Sequence, residues 1–210
     1  MEALLFDFNG TISDDEGVQC GIYRELFAEH GRPLSEEQYF ADLAGFSDPE
    51  IVERWLGPGH PAAGEVLEGR TRLFHERGGD GSTVPAHVRE AILLAAGRVR
   101  LAVVSGATRS EVETVVGAAG IDVFEVVVSA ESVQRGKPDP EGYLRALDLL
   151  GLPATQAAAL EDSPPGIAAA KAAGLRCVAL LGTVSAERLR EADEIAPRLD
   201  ASLVDRLLSV

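Results

Sequence analysis

The hydrophobic positions of this chain fall into short unbroken runs separated by longer stretches of helical period. Ala3-Leu4-Leu5-Phe6, Leu101-Ala102-Val103-Val104, Val126-Val127-Val128, Ala157-Ala158-Ala159-Leu160 and Cys177-Val178-Ala179-Leu180-Leu181 are uniformly apolar. That is the pattern of strands buried on both faces of a parallel sheet. Between them, Ser110 to Ala119, Pro140 to Leu150 and Pro164 to Ala173 carry apolar residues at helical spacing, and Gly120, Gly151 and Gly174 stand just past their ends, where a helix favours glycine. Strands alternating with helical crossovers predict an α/β fold, a doubly wound, Rossmann-like parallel sheet.

One stretch breaks the alternation. From about Ser13 to Asp80 no buried-strand run occurs; Ile22, Leu26 and Phe27, and later Val52, Trp55 and Leu56, recur at helical spacing, with breakers at Gly31-Arg32-Pro33, Gly45 to Pro49 and Gly57-Pro58-Gly59. This predicts a small, all-helical insertion after the first strand, with Ser13-Asp14-Asp15 as the outgoing hinge and Gly78-Gly79-Asp80-Gly81 as the return. Residues 1–13 and 81–210 are then the core domain and residues 14–80 a helical cap.

Charge narrows the function. Nineteen basic against 34 acidic residues leave a net charge of −15, which repels nucleic-acid backbones and anionic membranes, and no basic patch is concentrated along the chain. No apolar run reaches the ~18 residues of a membrane span, and no basic-then-apolar leader opens the sequence. The expectation is a soluble, cytoplasmic protein with no nucleic-acid or membrane partner, a monomer or weak homodimer. Cys20 and Cys177 are the only cysteines and His30, His60, His75 and His87 are scattered singly, which gives neither a disulfide framework nor a zinc site. Lys137 and Lys171 are the only lysines in an arginine-biased chain, so a lysine marks a place where a compact ammonium suits better than a planar fork.

In a parallel sheet, ligands bind in the crevice at the carboxyl ends of the strands. The first run ends at Asp7 in Asp7-Phe8-Asn9-Gly10-Thr11, the second at Ser105-Gly106 and the fourth at Glu161-Asp162-Ser163, while Lys137 sits in Gly136-Lys137-Pro138-Asp139-Pro140. Each alone has a structural explanation as a turn, cap or surface residue. Together, a carboxylate, a hydroxyl, an ammonium and an acidic pair at one sheet edge make a site for a divalent cation and a phosphoryl group.

These four segments, with Glu161-Asp162-Ser163-Pro164-Pro165-Gly166-Ile167 as the last and Ser105 as the least specific, resemble the motifs of the haloacid dehalogenase superfamily. The subgroup is that with a small helical cap between the first and second motifs, similar to phosphoglycolate phosphatase and β-phosphoglucomutase-like phosphatases, and the resemblance spans essentially the whole chain. It implies an Mg²⁺-dependent phosphatase of a small phosphorylated metabolite working through an aspartyl-phosphate. Asp7 would be the nucleophile. Mg²⁺ would be held by Asp7, Asp162 and the main-chain carbonyl of Asn9, with Glu161 acting through water. Ser105 would donate to a phosphoryl oxygen, Lys137 would neutralise developing charge, and the backbone amides of Phe8 to Thr11, Gly10 included, and of Gly106 would complete the phosphate cradle.

The chain departs from that pattern at Asn9, where phosphatases of this kind usually carry a second aspartate as general acid and base. A carboxamide cannot exchange that proton, and losing general acid–base catalysis typically costs about 10²–10⁴ in rate. Asp14, Asp15 or Glu16 stands close enough in sequence to substitute. A sugar-phosphate mutase, which needs the missing acid, is disfavoured; a metal-free dehalogenase does not explain Glu161-Asp162; a receiver domain would carry its acidic pair first. A non-catalytic phosphate-binding protein is the alternative. Specificity is expected in the cap, where the turn Ala44-Gly45-Phe46-Ser47-Asp48 would drop over the site, with Phe46, Ser47 and Arg54 touching substrate and Trp55 and Arg24 as further candidates.

Overall fold

The computed structural model describes residues 1–209. Five strands coincide with the apolar runs: β1 (Ala3–Phe6), β2 (Arg100–Val104), β3 (Val126–Val128), β4 (Ala157–Glu161) and β5 (Arg176–Leu180). A sixth, β6 (Glu194–Ala196), was not expected. Among the described residues these form one sheet of order β3-β2-β1-β4-β5-β6, with every neighbouring pair parallel. Leu5 of β1 is in register with Ala102 on one side and Ala159 on the other, so Asp7 leaves the sheet at its centre.

Side chains alternate across the sheet as the pleat requires. Leu4, Phe6, Leu101, Val103, Leu160 and Val178 pack on the side of α5 (Ala86–Ala96), α6 (Arg109–Ala118) and α9 (Ala201–Leu208). Ala3, Leu5, Ala102, Ala159 and Ala179 face α7 (Glu141–Leu150) and α8 (Pro164–Ala172).

The insertion is helical, as its period predicts: α1 (Glu16–Glu29), α2 (Glu36–Gln38) running into a π turn at Tyr39–Leu43, α3 (Asp48–Leu56) and α4 (Ala63–Gly78). Its core is aromatic, with Tyr23 stacked on Phe27 at 5.3 Å and on Tyr39 at 6.2 Å between ring centroids. The two connections to the sheet domain run side by side: Asp14 N–H donates to Thr83 O and Ser13 Oγ to Thr83 Oγ1, both at 2.8 Å. Gly81 has φ of +79°, and a Cβ there would stand 2.6 Å from Ala119 N, so the returning turn is held to glycine on two counts. No helix among the described residues is long and apolar enough to cross a membrane.

Candidate active site

The strand ends converge on the carboxyl edge of the sheet. Asp7 follows β1, Ser105 follows β2, and Glu161 closes β4 with Asp162 next. Lys137, in the loop before α7, is ion-paired with Asp7, and its Nζ lies 2.6 Å from Glu161 Oε1. Tyr143 of α7 donates to the same Glu161 oxygen at 2.5 Å. Thr183 donates to Asp162 Oδ2. Two glycines make room for this packing: a Cβ on Gly10 would run into the Asp162 carboxylate, and one on Gly166, in the first turn of α8, would run into that of Glu161.

The carboxylate oxygens of Asp7, Glu161 and Asp162 lie within 4.8 Å of one another, and all three residues are buried. Burial, with the Glu161 charge adding to it and Lys137 opposing, pushes Asp7 up to about 7. Burial and the charges of Asp7 and Glu161 drive Asp162 well above the carboxylate range. Burial works against the Lys137 ammonium, but Asp7 and Glu161 outweigh it and hold its pKa above normal. One ammonium thus faces three crowded carboxyls, an electrostatic deficit that a hard divalent cation relieves. The donor set fits Mg²⁺.

Other expected residues sit differently. Glu161 has no exposed surface, and its Oε1 is shared by Lys137 and Tyr143, so it also anchors the lysine. Gly10 and Thr11 turn their amides inward: Gly10 N–H donates to Ser13 O at 2.7 Å and Thr11 N–H to Phe8 O at 3.3 Å, and both residues line a separate cleft beside Gly182 and Thr183. Ser105 accepts from Ala107 N–H at 2.9 Å, which leaves its O–H free to donate, and it lines a cleft that adjoins the Asp7 cavity at Gly106 and Lys137.

In the cap, Phe46 and Ser47 line the cavity over the carboxyl cluster together with Asp7, Asn9, Lys137 and Asp162. Arg54 does not: it is exposed, and its guanidinium lies over the Phe46 ring, 3.7 Å from the centroid. Trp55 donates to Arg32 O at 2.8 Å and stacks on Phe27, and Arg24 reaches Glu36 at the surface. These three side chains make surface and packing contacts within the cap.

The chain matches the family described as haloacid dehalogenase-like hydrolase over residues 4–180. It belongs to that family. Validoxylamine A 7'-phosphate phosphatase of Streptomyces hygroscopicus subsp. limoneus is 33% identical over 209 residues, 90% of each chain. Protein CbbY of Rhodobacter capsulatus is 33% identical over 192 residues, 85% of this chain and 84% of the other. The crystal structure of CbbY from Rhodobacter sphaeroides in complex with phosphate superposes with a TM-score of 0.85 at 29% identity, covering 97% of this chain and 96% of the other.

Asn9 lines the cavity, and its Nδ2 donates to Asp15 Oδ2 at 2.8 Å. Asp15 is fully buried, its Oδ1 has no hydrogen-bond partner, and burial pushes it up to about 7 against the opposing Asn9 bond. Of the three nearby acids, Asp14 is exposed and Glu16 is bonded to Tyr39, so Asp15 is the one that contacts Asn9.

The cap turn at Phe46 and Ser47 was expected at the cavity, whereas Gln19, Tyr39, Glu50 and Arg70, which also line it, were not. Arg70 of α4, 2% exposed, is paired with Glu111 of α6, approaches Asp48 Oδ2 at 3.2 Å and donates to Gln19 Oε1 at 3.0 Å. Nothing in a linear pattern separates such an arginine from a surface one, since it is one polar residue in an amphipathic helix.

Proposed function

We propose that this chain is an Mg²⁺-dependent phosphatase of a small phosphorylated metabolite, acting through an aspartyl-phosphate on Asp7. The carrying observation is the buried cluster of Asp7, Asp162 and Glu161 against a single lysine at the end of the central strand. Two relatives are phosphatases or phosphate-bound proteins by name, which supports the same substrate class.

Asp7 and Asp162, with the main-chain carbonyl of Asn9, would hold the cation, which when bound screens the charge of the phosphoryl oxygens. An Asp7 carboxylate oxygen forms the new bond to phosphorus as the bond to the leaving oxygen breaks. Lys137, fixed by Glu161, balances the charge that builds up on the transferring group, and Ser105 and the Gly106 amide donate to it. Water then cleaves the acyl phosphate, regenerating Asp7 and releasing phosphate. Asn9 cannot hand a proton to the leaving oxygen, so this step is weakened and substrates with good leaving groups turn over fastest. That same residue favours, as the second reading, a protein that binds the phosphate without turnover.

The test is hydrolysis of p-nitrophenyl phosphate with Mg²⁺, and with the metal removed by EDTA. The expected outcome is metal-dependent turnover that Asp7→Asn abolishes. Phosphate binding without turnover in the unaltered chain favours the second reading.

A further inference from the structure

The cavity has two ends of different character. At one, Lys137 and the buried carboxyls receive the phosphoryl group. At the other, the cap presents Glu16, from the start of α1, and Asp48 and Glu50, from the first turn of α3. Arg70 is the cation at that end, and it is already engaged by Asp48 and by the fully buried Glu111. Three carboxyls thus line that end of the cavity beside one guanidinium that is already paired and has little surface left to offer a ligand.

Acids are common in the first turns of helices, where they complement the exposed N–H groups. Glu50 does so, accepting from Ser47 N–H at 3.0 Å. Glu16 and Asp48 do not: Glu16 accepts from the Tyr39 hydroxyl at 2.9 Å and Asp48 from the Tyr23 hydroxyl at 2.6 Å, both off the helix and against the aromatic core of the cap. No cation pairs with Glu16 among the described residues, and burial, with Asp48 close by, raises its pKa. Gln19 supplies an independent pointer to a ligand. It is 5% exposed and lines the cavity, and its Oε1 is taken by Arg70, which leaves its NH₂ group with no protein partner among the described residues.

We propose that the molecule released from phosphate is a hydroxylated amine, whose ammonium is held by Glu16 and Asp48 while a hydroxyl accepts from Gln19. The substrate class is then an amino sugar or aminocyclitol bearing one phosphate. This rests on the phosphatase reading above and adds to it the charge of the leaving group. A second phosphate or a carboxylate in that place would be set against Glu16, Asp48 and Glu50, with Arg70 already paired and Arg54 lying over the Phe46 ring outside the cavity lining, so bisphosphates are disfavoured.

The experiment compares glucosamine 6-phosphate, glucose 6-phosphate, N-acetylglucosamine 6-phosphate and fructose 1,6-bisphosphate in Mg²⁺, with p-nitrophenyl phosphate as reference. The expected kcat/KM for glucosamine 6-phosphate exceeds that for glucose 6-phosphate by about tenfold or more, as a charged hydrogen bond supplies. N-acetylation removes the advantage and the bisphosphate ranks last. Glu16→Gln brings the amine-to-hydroxyl ratio toward one. A ratio of one or less in the unaltered chain, or a preference for the bisphosphate, overturns the proposal while aryl phosphate turnover keeps the phosphatase reading standing. If no aryl phosphate is hydrolysed, the phosphatase reading has failed, and calorimetry with the two hexosamine and hexose phosphates still decides: tenfold tighter binding of the amine supports the assignment, and equal binding overturns it.

Discussion

Asn9 puts an amide at the cavity wall, and Asp15 puts a carboxyl where that amide needs an acceptor. The two form one hydrogen-bonded unit in which donor and acceptor depend on each other. Asn9→Asp on its own therefore does not simply install the missing acid. It sets two carboxyls at the 2.8 Å separation now bridged by Nδ2 and Oδ2, where they must share a proton, as like charges that close cannot both ionise. Asn9→Asp/Asp15→Asn exchanges the two groups and keeps a donor facing an acceptor. The double variant is expected to gain on glucose 6-phosphate, whose leaving group needs protonation, toward the about 10²–10⁴ that acid–base catalysis supplies, and to gain more than Asn9→Asp. Steady-state kinetics of the three proteins check the order; equal rates for the single and double variants would show that Asp15 does not constrain residue 9.

At the scale of elements, the contact between β4 and α8 sets the site. Glu161 ends β4 under the first turn of α8, and Gly166 leaves the gap its carboxylate fills. Gly166→Ala forces that carboxylate aside, frees Lys137 from its second partner, and is expected to cost about 1–3 kcal/mol of stability as an overpacked contact does. Turnover should fall further than stability alone explains; urea unfolding beside p-nitrophenyl phosphate kinetics separates the two. These elements were legible because β1 to β5 each contain an unbroken apolar run and Asp7, Glu161 and Asp162 stand at or just beyond the ends of such runs. β6 was not, because Ile195 is 38% exposed at the sheet edge and only Ala196 is buried, so no apolar run marks it. The cap was legible as helices from their spacing. Its lining was legible only at the turn carrying Phe46 and Ser47; on the helices, the identity of a cavity-facing residue depends on how they meet: Arg54 and Arg70 look alike in sequence, yet one lies over Phe46 at the surface and the other is 2% exposed.

Across the whole molecule, the Arg70–Glu111 pair joins the cap to the sheet domain. Glu111 belongs to α6, where its other oxygen accepts from Thr108 N–H at 3.0 Å, so one carboxylate starts the helix after the Ser105-Gly106 loop and holds the arginine of α4. Arg70 in turn fixes Asp48 and Gln19 at the cap end of the cavity and lies over Phe74, its Cζ 5.0 Å from the ring centroid. Because the hinges at Ser13-Asp14 and Thr83 are paired side by side, the cap's position relative to the sheet rests on this buried bridge together with the apolar contacts around it. A buried pair is costly to break from one side, since the remaining charge stays desolvated. Glu111→Gln is therefore expected to lower the unfolding free energy by about 3–5 kcal/mol, whereas Arg70→Met/Glu111→Leu, which removes both charges, recovers most of that loss. The two functions of the bridge then separate in one series: the double variant should unfold in urea nearly as late as the unaltered chain yet show a raised KM, because Asp48 and Gln19 have lost the guanidinium that orients them. An unchanged KM in the double variant would mean that Arg70 ties the cap down without shaping the cavity.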